Sequence, residues 1–263
     1  MMKIRVLNEQ ERFDARNLAR EVFFSSGNLG YERDAARSFL EFLEEHTGHL
    51  VMIGAYEGDI RGMLAYDPEH WHLSLLFVRK EDQGKGIAAQ LFAWLVKEAE
   101  KAHAVRITVH AAPGAQAVYE AAGFEPEGDP LTEGGMTVIP MEYLLGKEIL
   151  GKEVTVTVDR PYGSFHPLYP DLEYPLNYGY VEEVLSGDGE YQDAYIYGPE
   201  EPVDRYTGRV IAVIYRRNDN ETKWVVTKET AWTRDDIVQA VAFQEQYFDT
   251  RFVWLNNPEK KQA

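Results

Sequence analysis

The chain has 263 residues, 44% of them hydrophobic and 27% charged, with a formal net charge of −17 and no cysteine. That length exceeds the ordinary single-domain range of about 100 to 200 residues, so two domains with separate cores are expected. The charge argues against nucleic acid or an anionic membrane as partner, so any anion must be held by helix N-termini, backbone amides or metal ions, and the lack of cysteine excludes disulfides and thiolate chemistry.

The alternation over Lys3 to Leu7 predicts a strand, and apolar positions at Phe13, Ala15, Leu18, Val22 and Phe23 a helix. A second amphipathic helix is expected from about Asp34 to Glu45. The period then changes to two, which predicts strands at Leu50–Tyr56, Ile60–Tyr66 and His72–Val78, the first two joined by a turn at Glu57-Gly58-Asp59. A polar, glycine-containing turn leads into a helix over Ile87–Ala102, then a strand at Val105–His110, a short helix at Ala115–Ala122 and a strand at Met136–Tyr143. Mixed strands and helices in this order indicate an α/β domain, taken as residues 1–147. From Val154 onward β-branched residues dominate, with strands expected at Val154–Val158, Ala194–Tyr197, Val210–Tyr215 and Lys223–Thr227 and a final helix near Arg234–Tyr247. Residues 148–263 are therefore expected to form a small, mostly β second domain. Met1 to Asn8 lacks a signal-peptide pattern and no run of roughly 18 apolar residues occurs, so a cytoplasmic location is expected.

A strand ending in Leu76-Phe77-Val78, followed by Gln83-Gly84-Lys85-Gly86-Ile87-Ala88 and a helix, has a physical meaning. Glycines let a ligand approach the backbone, and the first amides of the helix point at a diphosphate with the helix dipole behind them. On these residues, and on Val118-Tyr119-Glu120-Ala121-Ala122-Gly123-Phe124, the stretch Ile4 to Tyr143 resembles the GCN5-related N-acetyltransferases. The resemblance implies an acyl-CoA N-acyltransferase fold with a mixed central sheet, acetyl-CoA as donor, a small-molecule amine as acceptor, and Tyr119 as the acid that protonates the leaving thiolate. Gly114 stands where the family often has asparagine, so local cofactor contacts differ. Attack on a thioester needs an uncharged amine, and Glu69, His70 and His72 precede or begin the strand before the loop. Of these His72 ranks first as base.

In the second half, Asp188, Glu190 and Asp193 surround a turn, and Asp219, Glu221 and Lys223 form a second charged group. Such carboxylates suit hard cations such as Mg²⁺. With Tyr174-Pro175-Leu176-Asn177-Tyr178-Gly179-Tyr180, these residues resemble the soluble family I inorganic pyrophosphatases. That resemblance implies an OB-like barrel, metal ligands at Asp159, Asp188, Glu190, Asp193, Asp219 and Glu221, phosphate contacts from Arg160, Tyr178, Lys223 and Tyr247, and a catalytic role for Asp193 in generating a nucleophilic water. The family's early hairpin is shortened here, with only Arg160 and His166 nearby as substitutes, and Phe248 replaces a basic residue, with Arg251 close. Each lost charge-assisted contact removes about 1.5 to 3 kcal/mol of binding, so reduced pyrophosphatase activity is expected. A fusion of an N-acetyltransferase with a pyrophosphatase-like domain is the leading reading. The alternatives are an acyl-CoA-sensing protein with an inactive barrel, and a barrel that cleaves another diphosphate.

Overall fold

The computed structural model describes residues 2–25, 33–133 and 136–256. It divides into two compact units, one of Met1–Lys101 and Arg106–Leu145 and the other of Ala102–Val105 and Gly146–Ala263. Among the described residues no helix is long and apolar enough to cross a membrane.

The first unit contains β1 (Lys3–Val6), α1 (Glu9–Ser25), α2 (Arg33–Glu45), β2 (Val51–Glu57), β3 (Asp59–Asp67), β4 (His72–Val78), α3 (Ile87–Lys101), β5 (Arg106–Ala111), α4 (Gln116–Ala121), β6 (Glu125–Pro126), β7 (Leu131–Glu133) and β8 (Met136–Leu144). Its strands run in the order β1-β2-β3-β4-β5-β8-β6, with β7 on β8. All pairings are antiparallel except β4 with β5, so the sheet is mixed.

The period-two runs explain the layering. On one face Leu7, Met52, Met63, Ala65 and Leu75 form a core with Ala15, Leu18, Ala19 and Val22 of α1 and Phe39 and Leu43 of α2. On the other face α3 begins hard against β3. A Cβ on Gly62 would lie 2.9 Å from Ile87 Cγ2 and 3.2 Å from Val78 Cγ2, so glycine there lets the first turn of α3 seat beside the end of β4. The short β6 and β7 go unpredicted by sequence periodicity because two or three residues carry no period.

The second unit contains β9 (Glu153–Arg160), β10 (Asn177–Leu185), β11 (Tyr191–Ile196), β12 (Arg205–Arg216), β13 (Thr222–Thr227), α5 (Arg234–Glu245) and β14 (Thr250–Trp254). The order β13-β11-β10-β9-β12, together with pairing of β12 to β13, closes a five-stranded barrel, and β14 adds to the side of β12. The twelve-residue β12 makes closure work. Its first half pairs with β9, its second half with β13 and β14, and a bulge between Val210 and Ala212 lies between them. Tyr174, Leu176, Tyr178, Tyr195, Ile211, Ile214 and Val225 fill the core and are covered by Ile237 and Val241 of α5.

Strands β10 and β14 are absent from the sequence-based list. In β10 the acidic Glu182-Glu183 pair sits in exposed strand positions and blurs the alternation. A Cβ on Gly179 would lie 2.0 Å from the Thr157 carbonyl oxygen, so β9 and β10 approach too closely for any side chain at that position.

Candidate active site

In the first unit the pairing of β4 with β5 covers two positions, His72 with Thr108 and Leu73 with Val109. Strand β4 then continues through Ser74 to Val78 on β3, while β5 stays on β8 through Ala111. The ladder between the two parallel strands therefore ends at Leu73 and Val109, and the β4 edge beyond it, through Leu76, Phe77 and Val78, has no pairing with β5. Backbone donors and acceptors on parting strands have no ladder partner, so such an opening suits an extended polar ligand.

At the end of β4 the chain makes one 3₁₀ turn, Lys80–Asp82, and enters the glycine loop. Gly84 and Gly86 have φ of 74° and 77°, the left-handed region that glycine adopts without strain, and neither Cβ direction meets an atom within 4 Å. Gln83 donates from Nε2 to the Val78 carbonyl at 3.2 Å, tying the loop to the strand. The Gln90 amide donates to the Gly86 carbonyl, and the amides before it lie in the first turn of α3, where a helix offers them no internal partner. Gln83 to Gly86 are exposed, Ile87 is buried and Ala88 half-buried. Lys85 is held at 2.8 Å by Asp82, which Arg61 also approaches at 3.5 Å. The cation in this loop is thus locally balanced by Asp82, although the Lys85 side chain remains exposed.

At the point where β4 and β5 part stand residues from both strands. His72 Nδ1 is 2.9 Å from Thr108 Oγ1. The His72 and His110 rings meet edge to face, 4.9 Å apart at 72°. The turn before β4 is strained to deliver this arrangement. Trp71 adopts φ of 52°, costly for a bulky residue, stacks on Tyr66 at 5.4 Å, and accepts a hydrogen bond at its carbonyl from the Thr108 amide at 3.1 Å. His70 is exposed and pairs with Asp67 at 2.8 Å, which raises its pKa, and Glu69 is exposed. Thr108 and His110 are not among the sequence-derived residues. Their placement depends on a parallel register across 36 positions, which no local pattern encodes.

Tyr119 lies in the last turn of α4. The Phe124 amide donates to the Tyr119 carbonyl and the Gly123 amide to the Glu120 carbonyl, both at 3.0 Å, with Gly123 at φ of 95°. This is a Schellman cap, and the Tyr119 and Phe124 rings make its accompanying apolar contact, 5.4 Å apart at 79°. The cap accounts physically for the Tyr-x-x-x-Gly-Phe spacing. Burial also pushes the Tyr119 phenol well above its ordinary pKa, so it stays protonated at neutral pH.

The second unit brings several of its sequence-derived residues together. Lys223, 4% exposed, lies 2.7 Å from Glu221 Oε2 and forms an ion pair with Asp193. Arg216 lies 3.1 Å from Glu221 and 3.8 Å from Asp219. Burial opposes ionisation of Glu221, but Lys223 and Arg216 outweigh it, and its pKa is lowered. Asp159 pairs with Arg160 at 3.0 Å, and burial raises its pKa, with a further push from Asp193. Tyr178 is buried beside Asp193, and burial first and that carboxylate second raise its phenol. Asp188 accepts the Glu190 amide at 3.0 Å, both residues being exposed. Tyr247 is 70% exposed. Among the described residues no group of three or more His, Asp or Glu side chains is arranged to hold a metal ion.

Residues 29–145 match the family model described as an acetyltransferase (GNAT) domain. Solved structures similar to this chain include a GCN5-related N-acetyltransferase from Rhodopseudomonas palustris, at 16% identity over 54% of this chain and 95% of that one, TM-score 0.49. The PaiA N-acetyltransferase of Thermoplasma acidophilum in complex with coenzyme A is 17% identical over 55% and 99%, TM-score 0.47. The ribosomal-protein-S18-alanine N-acetyltransferase of Escherichia coli is 17% identical over 55% and 94%, TM-score 0.41. Comparison with curated protein sequences gives no match.

Proposed function

We propose that the GNAT domain over residues 29–145 makes this chain an acetyl-CoA-dependent N-acetyltransferase acting on a small-molecule amine. The observation that carries this reading is the parting of β4 from β5 directly beside an open Gly84–Gly86 loop at the start of α3. First-turn amides of α3 would hold the diphosphate of the donor, and the β4 edge at Leu76 to Val78 would align its extended arm. The loop fits this group because both glycine Cβ directions are open and because the binding is by amides, which the −17 charge does not neutralise.

When bound, acetyl-CoA supplies the acetyl thioester. In the proposed reaction the acceptor amine forms its bond to the acetyl carbon while the carbon–sulfur bond breaks. In this proposal Nδ1–H of His72 donates to Thr108 Oγ1, Nε2 is then the basic nitrogen that takes the amine proton, and exposed His110 passes that proton toward water. Tyr119 gives its proton to the departing sulfur. Calorimetry with acetyl-CoA and CoA release with a panel of amines test the assignment, and absence of both rejects it. Tyr119→Phe keeps the ring contact with Phe124, so kcat should fall about 10- to 100-fold with little change in KM for acetyl-CoA. An unchanged kcat would leave Tyr119 with the capping role alone.

For the second unit, the closed five-stranded barrel and the resemblance carried by Tyr174 to Tyr180, Asp188 and Asp193 support an OB-like, pyrophosphatase-related module. The pairing of Asp193 and Glu221 with Lys223 favours the version that does not hydrolyse pyrophosphate. Mg²⁺-dependent phosphate release from pyrophosphate, lost in Asp193→Asn, would reverse that choice.

A further inference from the structure

The carboxylates of the barrel do not fit a divalent ion as they are arranged, and the reason is a side chain. Strands β11 and β13 run parallel with Ala194 opposite Trp224, so Asp193 and Lys223 occupy the neighbouring register position. Lys223 Nζ there meets Asp193 and, at 2.7 Å, Glu221, with only 4% of the side chain exposed. Arg216, 3% exposed, takes a further Glu221 contact at 3.1 Å and is itself fixed by Glu245 at 2.6 Å. A hydrated Mg²⁺ needs an octahedron of oxygens at about 2.0 to 2.1 Å. An ammonium donating to two of those oxygens removes them from that set and adds a repelling charge.

We infer that the Lys223 ammonium is the resident cation of this barrel, occupying between Asp193 and Glu221 the place a divalent ion would take, and that removing it opens a cation site of oxygen ligands. The inference rests on the non-hydrolytic reading of the second unit. Register makes the position specific, since β11 and β13 carry both partners to one point of the barrel wall. Burial makes it consequential, since deleting one member of a largely buried ion pair leaves the other charges uncompensated.

The test is Mn²⁺ titration of the full chain by calorimetry, with Lys223→Gln, Lys223→Arg and the Lys223→Gln/Glu221→Gln double variant. Lys223→Gln should bind Mn²⁺ about tenfold or more tighter than the unaltered chain, a conservative result of losing one unit charge beside two carboxylates. Lys223→Arg should show no gain, and the double variant should lose it. A Lys223→Gln chain that folds only with Mn²⁺ present gives the same support, and one that neither folds nor is rescued by Mn²⁺ overturns the inference. So does Mn²⁺ binding by the unaltered chain that Asp193→Asn abolishes. Phosphate release from pyrophosphate is measured in parallel: turnover by the unaltered chain sinks the non-hydrolytic reading, whereas no turnover with no gain in Lys223→Gln sinks this inference alone.

Discussion

His72 and Thr108 show how much one hydrogen bond can determine. An imidazole acts as a base only when the correct nitrogen faces the proton, and the 2.9 Å contact between Nδ1 and Thr108 Oγ1 orients the ring, with Nε2 the base in the proposed arrangement where Nδ1–H donates to the hydroxyl. His72→Ala should lower kcat/KM about 100-fold or more, the usual contribution of a positioned base. Thr108→Val keeps the shape but removes the oxygen, so the ring loses the hydrogen bond that orients it. Its loss should be smaller, about tenfold, and should come with a displaced pH–rate profile. Steady-state CoA release across pH separates the two, because a merely structural Thr108 would lower the rate without moving the profile. Neither Thr108 nor His110 could be read from sequence, since both acquire meaning only through the parallel register of β4 and β5. His72 and Tyr119 could be named because they stand at fixed offsets from motifs.

At the scale of elements, two glycines carry testable consequences. Gly86 holds φ of 77° one residue before α3, so Gly86→Val strains the backbone by about 1 to 2 kcal/mol and puts a branched side chain on the exposed loop surface. Weakened acetyl-CoA binding, about tenfold by calorimetry, is expected with only modest loss of melting temperature. Gly179 is the opposite case. Its Cβ direction ends 2.0 Å from the Thr157 carbonyl oxygen, a backbone atom that cannot rotate aside, so Gly179→Ala should cost about 3 kcal/mol or more in barrel stability. Urea unfolding of the full chain measures it, and a loss under about 1 kcal/mol would mean that β9 and β10 separate freely. The same contrast explains what the sequence disclosed. Helices α1 to α3 and strands β2 to β4 announce themselves by period, and the Gly84–Gly86 loop by its glycine spacing. Strand β10 does not, because Gly179 and the exposed Glu182-Glu183 pair break its alternation. Strand β14 escapes for another reason, its five residues all being half-buried with no two-faced pattern.

For the whole molecule, pH and salt act through opposing contributions whose signs can be worked out. At neutral pH the net charge of −17 makes the folded chain repel itself, so moderate NaCl should raise its melting temperature by screening. Lowering pH from 7 toward the calculated isoelectric point near 4.8 relieves the same repulsion, and stability should first rise. The Glu221 carboxyl reverses this trend in acid. Its folded pKa lies below its unfolded value of about 4.3, so its stabilisation is present above that pH and is lost as pH falls through the folded value. The buried phenols of Tyr119, Tyr178 and Tyr195 set the alkaline limit. Their folded pKa values exceed the unfolded value of about 10, so below that pH they are neutral in both states. Above it the unfolded chain alone ionises and the fold loses stability. Melting temperature followed by circular dichroism should therefore pass through a maximum at about pH 5 to 6 and fall on both sides. The acid limb should flatten in Arg216→Gln and change far less in Lys223→Arg, because only Arg216→Gln removes a cation facing Glu221 and so brings its folded pKa back toward the unfolded value. A melting temperature that falls steadily from pH 7 to 5 would show that net repulsion is not the force being relieved.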